Sequence, residues 1–242
     1  MEKKTEQTLK RGRLLYEGQW KRVFETNKPD QVLLEFKSEF PQRDRSGARN
    51  VKGKPRLASQ MAEHIFAYLQ SFRIPHHFIA RHEESMLLVR RLEMIPVAIV
   101  VRNIAAGSLC EKYGISESRE LEFPIVELMY RNRLLDYPMV NESHVLAFGV
   151  STPEEIRTMI RIATKTNAVL RSFMERRRMR LADLWLEFGR GNKDVYLADA
   201  ITPDTMRILD SETGDLYDGS IFRLGIGEYT EQYVSLYKRL TT

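Results

Sequence analysis

Apolar and polar positions alternate over the first third of the chain in a way that predicts short strands around a single helix. Leu14 to Glu17, Arg22 to Glu25 and Val32 to Phe36 read as strands, with Asn27-Lys28-Pro29-Asp30 as a turn, so an antiparallel meander is expected. Ser38 to Pro55 is polar, mixed in charge and interrupted by glycines and prolines, the composition of a surface loop. Leu57, Met61, Ile65, Phe66 and Leu69 then recur at helical spacing and predict an amphipathic helix ending near Ile74-Pro75. Phe78 to Arg81, Ser85 to Arg91 and Val97 to Arg102 follow as strands, and one sheet is expected to hold them all.

Beyond Arg102 the clearest signal is a helix start: Thr152 as N-cap, Pro153 at the first helical position and Glu155 completing a capping box. Its stripe of Ile156, Ile160, Ala163, Leu170 and Met174 is expected to be buried. The basic run Arg176-Arg177-Arg178 with Arg180 is expected to offset the negative end of the helix macrodipole. Arg180 to Phe188 and Val195 to Asp199 read as strands joined by a turn over Gly189 to Asp194, and a helix from about Tyr229 to Leu240 closes the chain.

Composition narrows the class. The 242 residues are 43% hydrophobic and 29% charged, which excludes disordered, collagen-like and low-complexity proteins. A net charge of +5 favours anionic ligands, and phosphorylated small molecules fit it as well as nucleic acid does. A nucleic-acid binder rests on that charge alone and ranks lowest. Cys110 is the single cysteine, so no intrachain disulfide is possible and a reducing cytoplasm is the expected location. Met1 to Arg13 lacks the apolar core of an export signal, and the longest apolar runs, such as Ile95 to Val101, are strand-length, so no membrane span is expected.

Candidate chemistry lies in three segments. Period-two geometry puts Asp183, Trp185 and Glu187 on one strand face and Leu184, Leu186 and Phe188 on the core face. With Asp199 ending the neighbouring strand, several acidic oxygens converge, as in sites that hold Mg²⁺ against nucleotide phosphates; the alternative is that each carboxylate pairs with a surface arginine. Val101 to Leu109 joins Arg102 to a small-residue turn opening a short helix with Ser108, a cradle for an anion. Thr202-Pro203-Asp204-Thr205-Met206-Arg207 is a proline-led turn that brings an Asp and an Arg beside Asp199, or an ordinary turn with a local Asp hydrogen bond.

Taken together, Val100-Val101-Arg102-Asn103 through Ala106-Gly107-Ser108-Leu109, Leu181-Ala182-Asp183 through Leu186-Glu187-Phe188-Gly189, and Ala198-Asp199 through Pro203-Asp204-Thr205 with Arg207 resemble the signatures of the phosphoribosylaminoimidazole-succinocarboxamide synthase (SAICAR synthetase) family. Pro138-Met139-Val140-Asn141-Glu142-Ser143 and a worn nucleotide loop, Gly18-Gln19-Trp20-Lys21, extend the likeness collinearly from about Leu15 to Leu240. The resemblance implies a two-lobed α+β fold: an antiparallel-sheet lobe over residues 1–92 covering ATP, and a larger mixed α/β lobe over residues 93–242 holding the carboxylated aminoimidazole ribonucleotide and a metal. It implies an ATP-dependent C–N ligase of purine biosynthesis joining L-aspartate to that ribonucleotide. Glu187 and Asp199 would hold Mg²⁺ against the ATP phosphates. Asp183 would stand near the imidazole and share the catalytic work with them. Arg102, Ser108 and Arg207 would grip the phosphoribosyl group.

The chain departs from the family pattern on the ATP and aspartate side. Gln19 and Trp185 replace lysines, Ala200 and Tyr137 stand where acidic residues are expected, and Ala58 replaces an Asn. Two readings follow. One is a working ligase in which Lys21, Arg90 and Arg131, with Gly18 in the loop, supply the charge at the phosphates. The other is a diverged paralogue that binds the phosphoribosyl nucleotide but has lost or altered the ligase step. A homo-oligomer fits either.

Overall fold

The computed structural model describes residues 8–41, 48–50, 53–217 and 229–241. The meander forms as expected: β1 (Arg11–Glu17), β2 (Lys21–Thr26) and β3 (Gln31–Phe36) pair antiparallel in order. The loop after it carries a small hairpin, β4 (Glu39–Pro41) with β5 (Ala48–Asn50), and the rest of it up to Gly53 lies outside the described residues. Helix α1 (Lys54–Ser71) buries Leu57, Met61, Ile65, Phe66 and Leu69, the predicted stripe.

The expected single sheet is instead two. β6 (Phe78–His82) and β7 (Met86–Arg90) join the meander in a five-stranded sheet ordered β1-β2-β3-β7-β6. β8 (Glu93–Ile104) starts a seven-stranded one with β9 (Glu120–Tyr130), β10 (Met139–Val140), β11 (Met179–Gly191), β12 (Asp194–Ala198), β13 (Met206–Asp210) and β14 (Leu216–Tyr217). The chain changes sheets at Arg91–Leu92, where Leu92 lies across β11. A Cβ on Gly189 or Gly191 would come within 2.7 or 2.6 Å of its side chain, so side chains there would block the crossing. Helix α2 (Ser108–Tyr113) and helix α3 (Glu142–Ala147) are short insertions between strands.

Helix α4 (Pro153–Glu175) has the predicted capping box, Thr152 accepting from the Glu155 N–H while Glu155 accepts from the Thr152 N–H. Its stripe packs on β8 and β11, except that Ile160 is only partly buried. Of the basic run, Arg176 and Arg177 serve this end of the fold: Arg177 donates to the Phe173 and Leu240 carbonyls. Arg178 and Arg180 do not. They pair with Glu212 and Glu120 in place of the helix end, because the chain has already turned into β11. The last helix, α5 (Tyr229–Thr241), packs against α1, and one hydrophobic cluster runs from β3 and α1 through β8, α4 and β11 to α5. No helix among the described residues is long and apolar enough to cross a membrane.

Candidate active site

Residues paired across antiparallel strands point to the same side of a sheet. Register therefore lays out three rows on the face opposite α4. Arg207, Asp183, Arg102 and Ile125 form the first, across β13, β11, β8 and β9. Trp185, Val100 and Glu127 form the second, and Glu187, Ala98 and Met129 the third. The alternate residues Leu184, Leu186 and Phe188 are buried beneath, as period two requires.

The first row makes an arginine cluster. Asp183, only 6% exposed, accepts through Oδ2 from Arg102 Nη1 at 3.4 Å, and the same oxygen forms an ion pair with Arg207 Nε at 3.2 Å. Arg102 also donates to Glu127 Oε2 at 2.7 Å and to Ser108 Oγ at 3.1 Å. Two carboxylates thus fix the direction of two guanidinium forks and a hydroxyl. Gly107 closes the cluster: its φ of +54° suits glycine, and a Cβ would sit 2.4 Å from Arg207 Nη1. Of the elements expected for an anion cradle at Val101 to Leu109, Arg102 and Ser108 do come together beside the Gly107 turn.

The third row makes a charge-balanced cluster. Glu187 pairs with Arg131 Nη2 at 2.8 Å, and Asp199, just beyond β12, pairs with Lys21 Nζ at 2.5 Å. Burial and the Asp199 charge raise the Glu187 pKa, against the pull of Arg131 and Lys21. Asp199 is held at φ +59°, an uncommon conformation for a residue with a side chain, and its carbonyl accepts from His77 Nε2 at 2.6 Å. A carbonyl can only accept, so Nε2 carries the proton. Burial pushes the His77 pKa down to about 4, keeping the ring neutral. Gly18 and Lys21 bracket the β1–β2 turn, Gly18 N–H donating to the Lys21 carbonyl. Trp20 turns inward, with the Lys54 ammonium 4.5 Å from its ring.

Two oxygen-donating carboxylates on adjacent strands suit Mg²⁺, which is commonly held by one or two carboxylates plus substrate phosphates. The mutual repulsion that raises the Glu187 pKa is what a divalent cation relieves. No group of three or more His, Cys, Asp or Glu residues able to hold a metal occurs among the described residues, so the donor set fits a metal completed by phosphates and not an all-protein cage. Each carboxylate also pairs with a cation, Glu187 with an arginine and Asp199 with a lysine, close to what the ion-pair alternative expects.

The structure thus brings together Asp183, Arg102, Ser108 and Arg207 at one end of the face, and Glu187, Asp199, Lys21 and Arg131 at the other. Arg90 stands apart. It is exposed at the end of β7 with its guanidinium 5.8 Å over the Tyr196 ring, and among the described residues it shares no ion pair with either carboxylate. The Thr202 turn differs from expectation as well: Asp204 is buried in an ion pair with Lys54 at 3.0 Å instead of making only a local bond, since α1 starts against it. Sequence reasoning missed Glu127, His77 and Lys54. Glu127 left a signal, a lone acid inside the apolar run Ile125 to Met129.

Comparison with known proteins identifies the family. The SAICAR synthetase family model matches residues 14–240. The phosphoribosylaminoimidazole-succinocarboxamide synthase of Chloroherpeton thalassium is 37% identical over 232 residues, covering 96% of this chain and 99% of that protein. A SAICAR synthetase (Type-2) solved in complex with ADP superposes with TM-score 0.89 at 36% identity, covering 95% of this chain and 97% of the other. The phosphoribosylaminoimidazole-succinocarboxamide synthase of Ehrlichia chaffeensis superposes with TM-score 0.90 at 31% identity, covering 95% and 98%. A match of this extent over almost the whole chain means that the chain belongs to the SAICAR synthetase family, the ATP-dependent C–N ligases of purine biosynthesis.

Proposed function

We propose that the two ends of the sheet face divide the family's reaction between them. Arg102, Ser108 and Arg207 hold the phosphoribosyl group of the carboxylated aminoimidazole ribonucleotide, and Asp183 keeps both arginines aimed while standing near the imidazole. Gly18 and Lys21 in the β1–β2 turn, with Arg131, face the ATP phosphates. Arg90 belongs to the same basic rim, further out. Residues 1–92 then cover the nucleotide, and residues 93–242 hold the ribonucleotide and the metal.

Glu187 and Asp199 would hold Mg²⁺, which neutralises charge on the phosphates when bound. A carboxylate oxygen of the ribonucleotide attacks the γ-phosphorus, ADP leaves, and an acyl phosphate forms. The amine of L-aspartate then attacks the acyl carbon, phosphate leaves and the nitrogen gives up a proton. The protein's part is to align the carboxylate with the phosphate and to match developing charge with Lys21 and Arg131. The observation that carries this assignment is that one strand, β11, presents Asp183 to the arginine pair and Glu187 to the cation-paired carboxylate cluster on a single face.

Incubation with ATP, Mg²⁺, L-aspartate and the ribonucleotide should yield ADP and the succinocarboxamide in equal amounts. ADP release without amide would mean that phosphoryl transfer survives and aspartate is not the acceptor; release of neither would remove the assignment. The single cysteine supports a reducing compartment, and a homo-oligomer is checked by light scattering.

A further inference from the structure

Trp185 occupies the middle row of the site face, two residues from Asp183 and two from Glu187 along β11. Successive residues on one strand face lie about 7 Å apart, so the indole is at about that distance from each end of the site. One side of the ring rests on Ala98, Val100 and Met129, and Tyr137 meets it edge-on with centroids 5.6 Å apart. Its Nε1–H donates to Glu187 Oε1 at 3.3 Å, which fixes the ring in the plane of that bond. The ring is only half-buried, so part of it remains open on the site face.

We infer that Trp185 is a recognition residue for the ribonucleotide, an aromatic platform on which its imidazole stacks. The inference rests on the assignment above: a ligand with its phosphoribosyl group at Arg102 and Arg207 and its carboxylate near Glu187 and Asp199 spans the two outer rows, and its planar ring crosses the middle one. Flat heterocycles stack well on indole, and such contacts carry substantial binding energy without a charge. The ring supports the heterocycle while its N–H orients Glu187.

The test uses binding without turnover. The full-length Trp20→Phe variant leaves Trp185 as the only tryptophan, and its emission is followed on titration with the carboxylated aminoimidazole ribonucleotide or with ribose 5-phosphate, both without ATP. The ribonucleotide should quench saturably, and ribose 5-phosphate, which lacks the heterocycle, should bind by calorimetry with little quenching. Calorimetry on Trp185→Leu in the otherwise natural chain gives a second, independent reading: ribonucleotide affinity should fall about tenfold, with ribose 5-phosphate affinity unchanged. Trp185→Phe should keep ribonucleotide affinity within about threefold, because it retains an aromatic face. If both ligands bind but Trp185→Leu leaves their affinity ratio unchanged, the platform is overturned while the arginine grip stands. If neither binds the natural chain, the assignment beneath it has failed.

Discussion

The arginine end and the carboxylate end of the site lie on the same sheet face but are held in different ways. Around Arg102 every partner among the described residues comes from the seven-stranded sheet or the α2 turn beside it; Asp183 and Glu127 meet Arg102 through hydrogen bonds between buried groups, and Asp183 also pairs with the partly exposed Arg207. Around Glu187 the partners come from elsewhere: Lys21 reaches in from the meander, Arg131 follows β9, and His77 belongs to the segment between α1 and β6. The first end is shaped before any ligand arrives. At the second, cations occupy carboxylates that a metal would take, so binding there exchanges one set of charge pairs for another. On the proposed assignment, with the ribonucleotide at the first end and ATP at the second, pre-organisation at one and exchange at the other suit a reaction in which ATP enters and ADP leaves.

The sharpest break in this comparison is Asp199→Asn. It removes the charge paired with Lys21 and one of the two carboxylates proposed to hold the metal, so on that proposal Mg²⁺-dependent ATP binding should weaken by more than the roughly 10–100-fold seen when only outer partners of a metal are changed. Ribonucleotide binding should stay within twofold, because the ion pairs of Arg102 with Glu127 and Asp183 and that of Asp199 with Lys21 involve different residues. Paired calorimetry checks this, and a parallel loss of both affinities would merge the two ends into one cooperative unit.

Arg207→Ala attacks the other end. Losing a charge-assisted hydrogen bond should cost about 1.5–3 kcal/mol of ribonucleotide binding with ATP affinity intact. Gly107→Ala should reproduce the defect by steric means, since the added methyl meets Arg207 Nη1 and the backbone favours glycine. Unchanged ribonucleotide affinity in both variants would place the phosphoribosyl group elsewhere.

Acid separates the ends in a third way. His77, beside His76, Lys21 and Asp199, has its folded pKa lowered by burial to about 4 from the ordinary histidine value of about 6.5. Between those values the unfolded chain binds a proton that the folded chain refuses, so stability rises with pH across the window and is lost as pH falls through it. A drop from pH 7 to pH 5 should therefore cost about 2 kcal/mol. Denaturant titrations at the two pH values measure it, and His77→Gln should flatten the slope. A slope unaltered in that variant would assign the acid sensitivity to other groups.

The same contrast explains what could be read in the sequence. Arg102, Ser108 and Asp183 lie within local patterns, a strand alternation and a small-residue turn, and those survive without knowledge of the fold. The third row needed long-range register: Arg131 meets Glu187 only because β9 pairs with β8 and β8 with β11. β9 itself is absent from the pattern reading, because Pro124 and its glutamates interrupt the alternation. The division into two sheets depends on Leu92 crossing Gly189 and Gly191, a contact about a hundred residues apart that no local window contains. Trp185 was placed on the right face by period two alone, and its bond to Glu187 follows from sharing that face.

The smallest expected effect serves as the control for all of these. Helix α4 supports the sheet from the far side, and its start is held by Thr152, Ser151 and Glu155, with Arg190 on β11 bonding Glu155 and the Val150 carbonyl. Thr152→Ala removes one cap acceptor and should cost about 1 kcal/mol in denaturant titration, while both ligand affinities remain as they are. Glu155 adds a pH signature: its bond to Arg190 holds the carboxyl down at about 2, against an ordinary value of 4.5. A carboxyl with a lowered folded pKa stabilises the fold above pH 4.5 and loses that contribution as pH falls toward 2. The pair is partly exposed, so solvent screening keeps the contribution modest. Its window lies below most of that of His77, so Glu155→Gln should flatten the stability curve only at the acid extreme and His77→Gln only above it. A ligand-binding defect in Thr152→Ala would show that the helix tunes the site through the sheet, and the independence of the two ends would then be a property of their side chains without extending to the framework beneath them.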